Sequence, residues 1–394
     1  MVRFALIPAL LFSMLPSAKG QWTLQSSPTT ADLRGIDNVG QGIAWASGTN
    51  GTILRTTDGT HWHLCTIPPN AEHLDFRGIQ AFDANTAIAM SSGPGTQSRL
   101  YKTTDGCQIW KLIFTNPDKE GFWDALRFDR ALQYKSSVVN NKQHPVSVAE
   151  SRYPGVLIGD PVDGKFVIYT TFDSGDTWQP WEPHDPQFPK VARHSARAKP
   201  GESLFAASNS AALVPGIDGP LFVTGGIGGS RLFMGQTHTP FDIGTSWWAF
   251  TTIKLPINSN ESSGAFSLGS RRIADYPYFD LMVVGGDYKH QDAAGSAVFL
   301  SDLNSIVSKH IITATTPPHG YRSAVAYDAP TRTWITVGPN GTDLSTDDGR
   351  NWHPLHPTGN DAPDADQQWN ALSLPYAVGP HGRIGKLNPK ALVP

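Results

Sequence analysis

The sequence predicts an all-β protein assembled from repeated four-stranded antiparallel sheets. Three observations predict it: a composition low in charge and rich in turn residues, a block of sequence that recurs along the chain, and one hairpin turn that returns with nearly the same residues.

The chain has 394 residues, of which 38 are Gly, 31 Pro and 12 Trp, and only 16% are charged. That balance suits many short strands joined by tight turns and argues against long solvated helices. Length alone allows one large domain or two ordinary ones. A formal net charge of -3 gives no reason to expect nucleic acid or an anionic membrane as partner.

Residues 1–20 read as a secretory signal, with Arg3 as the positive start, Phe4 to Leu15 as the apolar run and Ala18-Lys19-Gly20 as a small-residue cleavage site. The run is too short for a permanent membrane span, and no later stretch approaches the length one needs. The expectation is an exported periplasmic or extracellular protein whose residues 21–394 form a single domain. In that compartment Cys65 and Cys107 can pair, although two cysteines cannot be the framework of so long a chain. They fall on the outer strand of one repeat and in the turn of the next, which leaves a disulfide open.

The recurring block is LRGIDNVGQGIAWASGTNGTILRTTDGTHWHL at 33–64, echoed at 76–112 and again at 321–355. Each copy reads as four strands, A to D, and a four-stranded unit repeated at this spacing is the signature of a propeller blade. Asn50-Gly51 and Asn340-Gly341 supply the residues that two-residue hairpins prefer.

Between strands C and D lies the turn S/T-x-D-x-G-x-x-W, complete in TFDSGDTW (171–178) and STDDGRNW (345–352). TTDGCQIW (103–110) carries Cys107 where Gly is usual, and TTDGTHW (56–62) is one residue short. Asp242 to Trp247 is the version of the fourth blade, with Pro240 at the leading position, and Asp302 marks a decayed copy in the fifth. The Asp accepts backbone N–H groups, Gly occupies a strained position and Trp packs between blades, so these aspartates are structural rather than metal ligands.

The turns count six blades. WNALSLPYAVGPHGRIGKLN (369–388) then supplies three strands of a seventh, and QWTLQSS (21–27) resembles the strands that follow the turns. A seven-bladed β-propeller closed by its N-terminal strand leaves no open sheet edge.

GTNGTILRTTDG followed by Trp, behind a strand opening LRGI, resembles the photosystem II stability/assembly factor-like group of aspartate-box (BNR-type) propellers, within the wider sialidase-like group. The resemblance is close in blades 1, 2 and 6, looser in 3 and 4, and faint in 5. It implies a seven-bladed propeller serving as a binding or assembly platform, with an arginine patch. It does not extend to photosynthesis, because fold does not carry function.

In such a blade strand A lines the channel, and its start shares one face with the B–C and D–A loops. Aligning the strand A starts sets Arg34, Arg77, Asp124, Phe205, Phe266, Arg322 and Asn370 at equivalent positions. Three arginines around a narrow mouth make an anion site, since guanidinium forks match carboxylate, sulfate or phosphate. The alternative is that they brace blades against carboxylates such as Asp124. The B–C loops add Asp160, Asp163, Arg231, Asp287, Tyr288, Lys289 and His290 to that face. GGIGGS (225–230) lacks the context of a dinucleotide fingerprint and reads as a tight turn.

Two readings follow. The first is a non-enzymatic scaffold that holds a protein segment, an anionic small molecule or a glycan through Arg34, Arg77, Arg322, Arg231, Asn370 and Tyr288. It expects a monomer without cofactor or metal. The second is a glycan-processing hydrolase drawing two carboxyls from Asp124, Asp160, Glu202 and Asp287. His61, His63, His353 and His356 have chelating spacings but no partners in the pattern. Insertions at 129–154 and 182–202 lengthen blade 3, and the second carries Lys190, Arg193, His194, Arg197 and Lys199, a solvated loop or a basic flap over the mouth.

Overall fold

A computed structural model describes residues 21–130, 134–135, 151–181, 196–214, 219–236, 249–272, 279–303, 310–358, 361–388 and 392. The expected signal segment, the turn around Asp242, and Lys190, Arg193 and His194 of the second insertion lie outside them. Among the described residues no helix is long and apolar enough to cross a membrane.

Among the described residues the alternating strands fold into seven antiparallel blades: six are four-stranded sheets, and the fifth is a four-stranded blade extended to six strands by Gly225–Gly226 and Glu202–Ser203. Blade 1 is Leu33–Gly40, Ile43–Gly48, Ile53–Thr56 and His63–Leu64, and blade 2 is Phe76–Ala81, Ala87–Ser91, Arg99–Thr103 and Lys111–Thr115. Blade 3 opens with Trp123–Phe128 and Gly155–Val162, blade 5 with Ser263–Arg272 and Phe279–Asp287, and blade 6 with Ala324–Asp328. In blade 7 the strands Ala371–Ser373, Tyr376–Val378 and Ile384–Leu387 are completed by Trp22–Gln25, with Trp22 opposite Leu387 and Gln25 opposite Ile384.

Blade 4 departs from the expected alignment. Its strand A is Ala212–Leu213, eight residues beyond the Leu204 start read from the sequence. Residues 204–211 instead cross the channel mouth. There the side-chain amide of Asn209 replaces a ladder pair, accepting from the N–H of Leu126 (2.7 Å) and donating to its carbonyl (3.0 Å).

The core lies between blades. Residues of one sheet pack on those of the next, as where Leu33, Ile36 and Ala46 of blade 1 meet Tyr376, Val378 and Ile384 of blade 7. Trp22 packs on Trp369 with ring centroids 5.1 Å apart. The turn tryptophans fill the same seams: Trp62 meets Tyr376 edge-on at 5.7 Å, and Trp110 meets Trp45 at 6.3 Å.

The aspartate turns work by hydrogen bonding. Asp347 accepts from Ser345 Oγ (2.8 Å) and from the N–H of Asn351 (3.0 Å), while Ser345 Oγ accepts from Gly349 N–H (3.0 Å). Asp58, Asp105 and Asp173 repeat the scheme with Thr56, Thr103 and Thr171. The N–H groups of His61, for Asp58, and of Ile109, for Asp105, hold these carboxyls below the usual range.

Cys107 has φ 70°, the left-handed conformation of Gly175 (85°) and Gly349 (74°) at the same turn position, and it is bonded to Cys65 with a Cα separation of 5.4 Å. The bridge ties blade 1 to blade 2 across 42 residues. Chain-entropy arithmetic for such a loop gives about 4 kcal/mol as its upper contribution. Urea unfolding of Cys65→Ser/Cys107→Ala should show a loss approaching that value. Cys65→Ser/Cys107→Gly should lose about 1 kcal/mol less, because glycine tolerates the left-handed backbone.

Candidate functional site at the channel mouth

The mouth is built by a repeated defect in strand A. The ladder between strands A and B shifts register around Arg34 in blade 1, Arg77 in blade 2, Asp124 in blade 3 and Phe266 in blade 5. A β-bulge leaves one residue out of the ladder and re-aims its side chain. Here it turns all four toward one cavity of about 640 Å³, lined also by Phe122, Asp160, Phe205, Glu261, Tyr288, Gln291, Tyr321 and Asn370. The D–A and B–C loops therefore share this face, as the alignment anticipates.

On one wall Arg34 and Arg77 stand either side of Asp75, a carboxylate the sequence reading did not single out. Arg77 Nε donates to Asp75 Oδ2 at 2.8 Å, and Arg34 Nε lies 3.4 Å from Oδ1. Arg77 Nη1 also reaches the carbonyl of Ala206 at 3.3 Å. Neither Nη of Arg34, nor Nη2 of Arg77, has a hydrogen-bond partner among the described residues. These groups face the cavity with bonding capacity to spare.

Next to Arg77 lie two carboxyls from neighbouring strands. Asp124 is buried, and burial followed by the charge of Asp160 pushes it well above the usual carboxylate range, against the pull of Arg77. Its Oδ2 has no hydrogen-bond partner among the described residues. Burial pushes Asp160 up to about 6, although it accepts the N–H of Leu204 at 3.0 Å. The opposite wall is aromatic: Phe205 stacks on Phe266 at 4.2 Å, Tyr321 meets Phe266 edge-on at 4.7 Å, and exposed Tyr288 extends the wall outward.

The raised Asp160 has a stability consequence. As pH rises from about 4 to about 6 the unfolded chain releases its carboxyl proton first, while the folded site still holds it. The ionised group therefore works against the fold above that window. Asp160→Asn should stabilise the protein by about 1–3 kcal/mol at neutral pH and by little near pH 4, as urea unfolding at the two pH values would read.

Most of the remaining residues expected here are placed elsewhere. Arg322 is fully buried and turned into blade 6, where Nε donates to Asp343 Oδ2 (2.7 Å) and Nη1 to Asn340 Oδ1 (2.6 Å). The anticipated trio of arginines is thus a pair. Asp343 stands two residues before the turn hydroxyl, where blades 1 and 2 have Leu54 and Tyr101, so the repeat itself conceals the partner. Arg231 and Glu202 bond each other, with Nε to Oε1 at 2.8 Å and a second contact from Nη2, and the Glu202 side chain is buried. Asp287 shapes its own loop, accepting from Ser262 Oγ (2.7 Å), the N–H of Lys289 (2.9 Å) and the side chain of His290 (3.1 Å). GGIGGS begins as a short strand, Gly225–Gly226, paired with Glu202–Ser203, and turns after it, with Gly226 at φ 84° and Gly229 at 103°. Asn370 lines the cavity while donating to the carbonyl of Leu33 at 2.8 Å. Of the four candidate acids, only Asp124 and Asp160 share the cavity.

Fold and site together define a seven-bladed propeller of aspartate-box repeats with a charged and aromatic pocket at one channel mouth. Its structural neighbours include YCF48 from Cyanidioschyzon merolae, at 16% identity and a TM-score of 0.57 over 94% of this chain and 99% of that one. Virginiamycin B lyase from Staphylococcus aureus aligns at 11% identity and 0.55 over 94% and 99%. The GH74 xyloglucanase from Xanthomonas campestris aligns at 13% and 0.53, with 94% of this chain covering 54% of that longer one. The resemblance read from the repeats therefore holds at the level of the fold. No protein-family model and no curated protein matches the chain.

Proposed function

We propose that this protein is an exported, monomeric binding scaffold that holds an acid-bearing protein segment or small anionic ligand in the mouth pocket. The observation that carries the reading is the unpartnered guanidinium edge of Arg34 and Arg77 facing a cavity with an aromatic opposite wall. A carboxylate, sulfate or phosphate completes those forks, and an apolar body packs on Phe205 and Tyr288. Export is supported by the Cys65–Cys107 bond, which persists in oxidising compartments. The neighbouring carboxyls Asp124 and Asp160 favour the hydrolase as second reading. Yet they come from adjacent strands of one blade, whereas hydrolysis needs two carboxyls flanking the bond to be cleaved.

The test is a screen of immobilised acidic peptides and acidic oligosaccharides against the parent and Arg34→Ala/Arg77→Ala. Ligands should bind the parent and lose roughly tenfold or more in affinity for the variant. Equal binding by both proteins would reject the arginine pocket. Oligosaccharide cleavage that disappears in Asp124→Asn would establish the hydrolase instead.

A further inference from the structure

The mouth contains more acid than its arginines can balance. Two guanidinium groups, Arg34 and Arg77, share the cavity with three carboxyls, Asp124, Asp160 and Glu261, and both already lean on a fourth, Asp75. With every carboxyl ionised the local charge is two negative, and an arriving anion is repelled although two guanidinium edges stand open. With Asp124 and Asp160 protonated the charges balance, and the open edges can be used.

We propose that capture of an anion at this mouth takes up a proton on the Asp124–Asp160 carboxyl pair, so that the site loads in acid and releases as the medium turns neutral. The proposal rests on the reading of the mouth as an anion pocket and adds its regulation. Geometry selects these two groups. Asp124 is the bulged residue of strand A and Asp160 lies at the end of strand B in the same blade, where the ladder shifts on both sides of Gly159. Asp124 is buried with one oxygen unbonded, which suits a neutral carboxyl able to donate a hydrogen bond to an incoming acceptor. Both groups are pushed upward, Asp160 to about 6, so the change falls between mildly acidic and neutral conditions.

The other charged groups cannot substitute. Asp75 is fixed between the arginines, Glu261 is exposed at the rim, and Glu202 behind Leu204 is neutralised by Arg231. Tyr321 is held neutral by burial.

The linkage sign is definite. A bound anion raises the carboxyl pKa values further, so affinity is highest below about pH 6 and falls as pH rises through the free-site value. Sulfate is a suitable probe because its charge does not change in this range. Calorimetric titration with sulfate at constant ionic strength should give roughly ten- to thirtyfold tighter binding near pH 5 than near pH 7.5. At pH 7.5 buffers of different ionisation enthalpy should report close to one proton taken up per sulfate, and near pH 5, where the free site already holds it, close to none. Asp160→Asn and Asp124→Asn, both checked for folding by circular dichroism, should bind near pH 7.5 about as tightly as the parent does in acid, with a flattened pH profile. Arg77→Ala should lose binding at both values.

A parent affinity unchanged between the two pH values, or a slope that survives in both Asn variants, overturns the proton link. If Arg77→Ala still abolishes binding in that case, the anion pocket stands without its regulation. Absence of sulfate binding at either pH overturns the pocket reading and the proposal with it.

Discussion

Removing residues 21–27 should cost the protein at least about 5 kcal/mol and convert one cooperative unfolding transition into an early, broadened one. Trp22 is 2% exposed, packed on Trp369 and donating from its indole N–H to Thr342 Oγ1 at 3.2 Å. Loss of such a side chain alone costs about 3–5 kcal/mol. The deletion also strips four residue pairs from Ile384–Leu387 and exposes that strand as an edge. Gln25 adds a link to blade 1, accepting the indole N–H of Trp62 at 2.7 Å, so the damage spreads to both neighbouring seams. Urea unfolding followed by tryptophan fluorescence gives the measurement, with Trp22→Ala as the milder comparison. A midpoint equal to the parent's would show that closure contributes nothing.

Arg322→Ala should destabilise the fold by about 3–5 kcal/mol, because it strands the Asp343 carboxylate in a site with no solvent exposure. By contrast Arg322→Met combined with Asp343→Leu should restore most of the loss, since it converts blade 6 to the apolar pattern of Leu54 in blade 1. The single variant also has a pH signature. His319 lies 2.7 Å from Asp343 and its pKa is raised, chiefly by that hydrogen bond. A raised histidine stabilises below its unfolded value and loses the effect as pH rises through the folded one. Once Arg322 is gone the imidazolium is the remaining cation beside Asp343, so Arg322→Ala should be less damaging near pH 5 than near pH 8. Equal losses at both values would remove His319 from the cluster's energetics.

These cases mark where the sequence was legible. The blades were readable because each is a local unit, and the aspartate turn places its hydroxyl, carboxylate and glycine within five residues. Strand closure was readable because Trp22 mimics the turn tryptophans. Blade 4 was not, since Asn209 supplies through a side chain what a strand supplies through its backbone, and no periodicity records that exchange. The fate of Arg322 was hidden for a related reason. Arg34, Arg77 and Arg322 look alike in the repeat, and what separates them is the residue across the blade: an apolar one for Arg34, an aspartate for Arg322. Asp75 was missed because it sits in a connection between blades, outside the aligned strand starts. Repetition reveals the frame, whereas charges are paired by contacts that differ from copy to copy.

The bulged positions at Arg34, Arg77, Asp124 and Phe266 make mouth chemistry separable from architecture. A residue outside the ladder carries no register, so exchanging its side chain does not slide a strand or turn a core residue outward. Each of these four blades behaves as a holder with one interchangeable fitting, and the fittings converge on a shared space. Selectivity can then be rewritten one blade at a time, with charge, aromatic area or polarity moved around the rim while the ring that supports them stays the same.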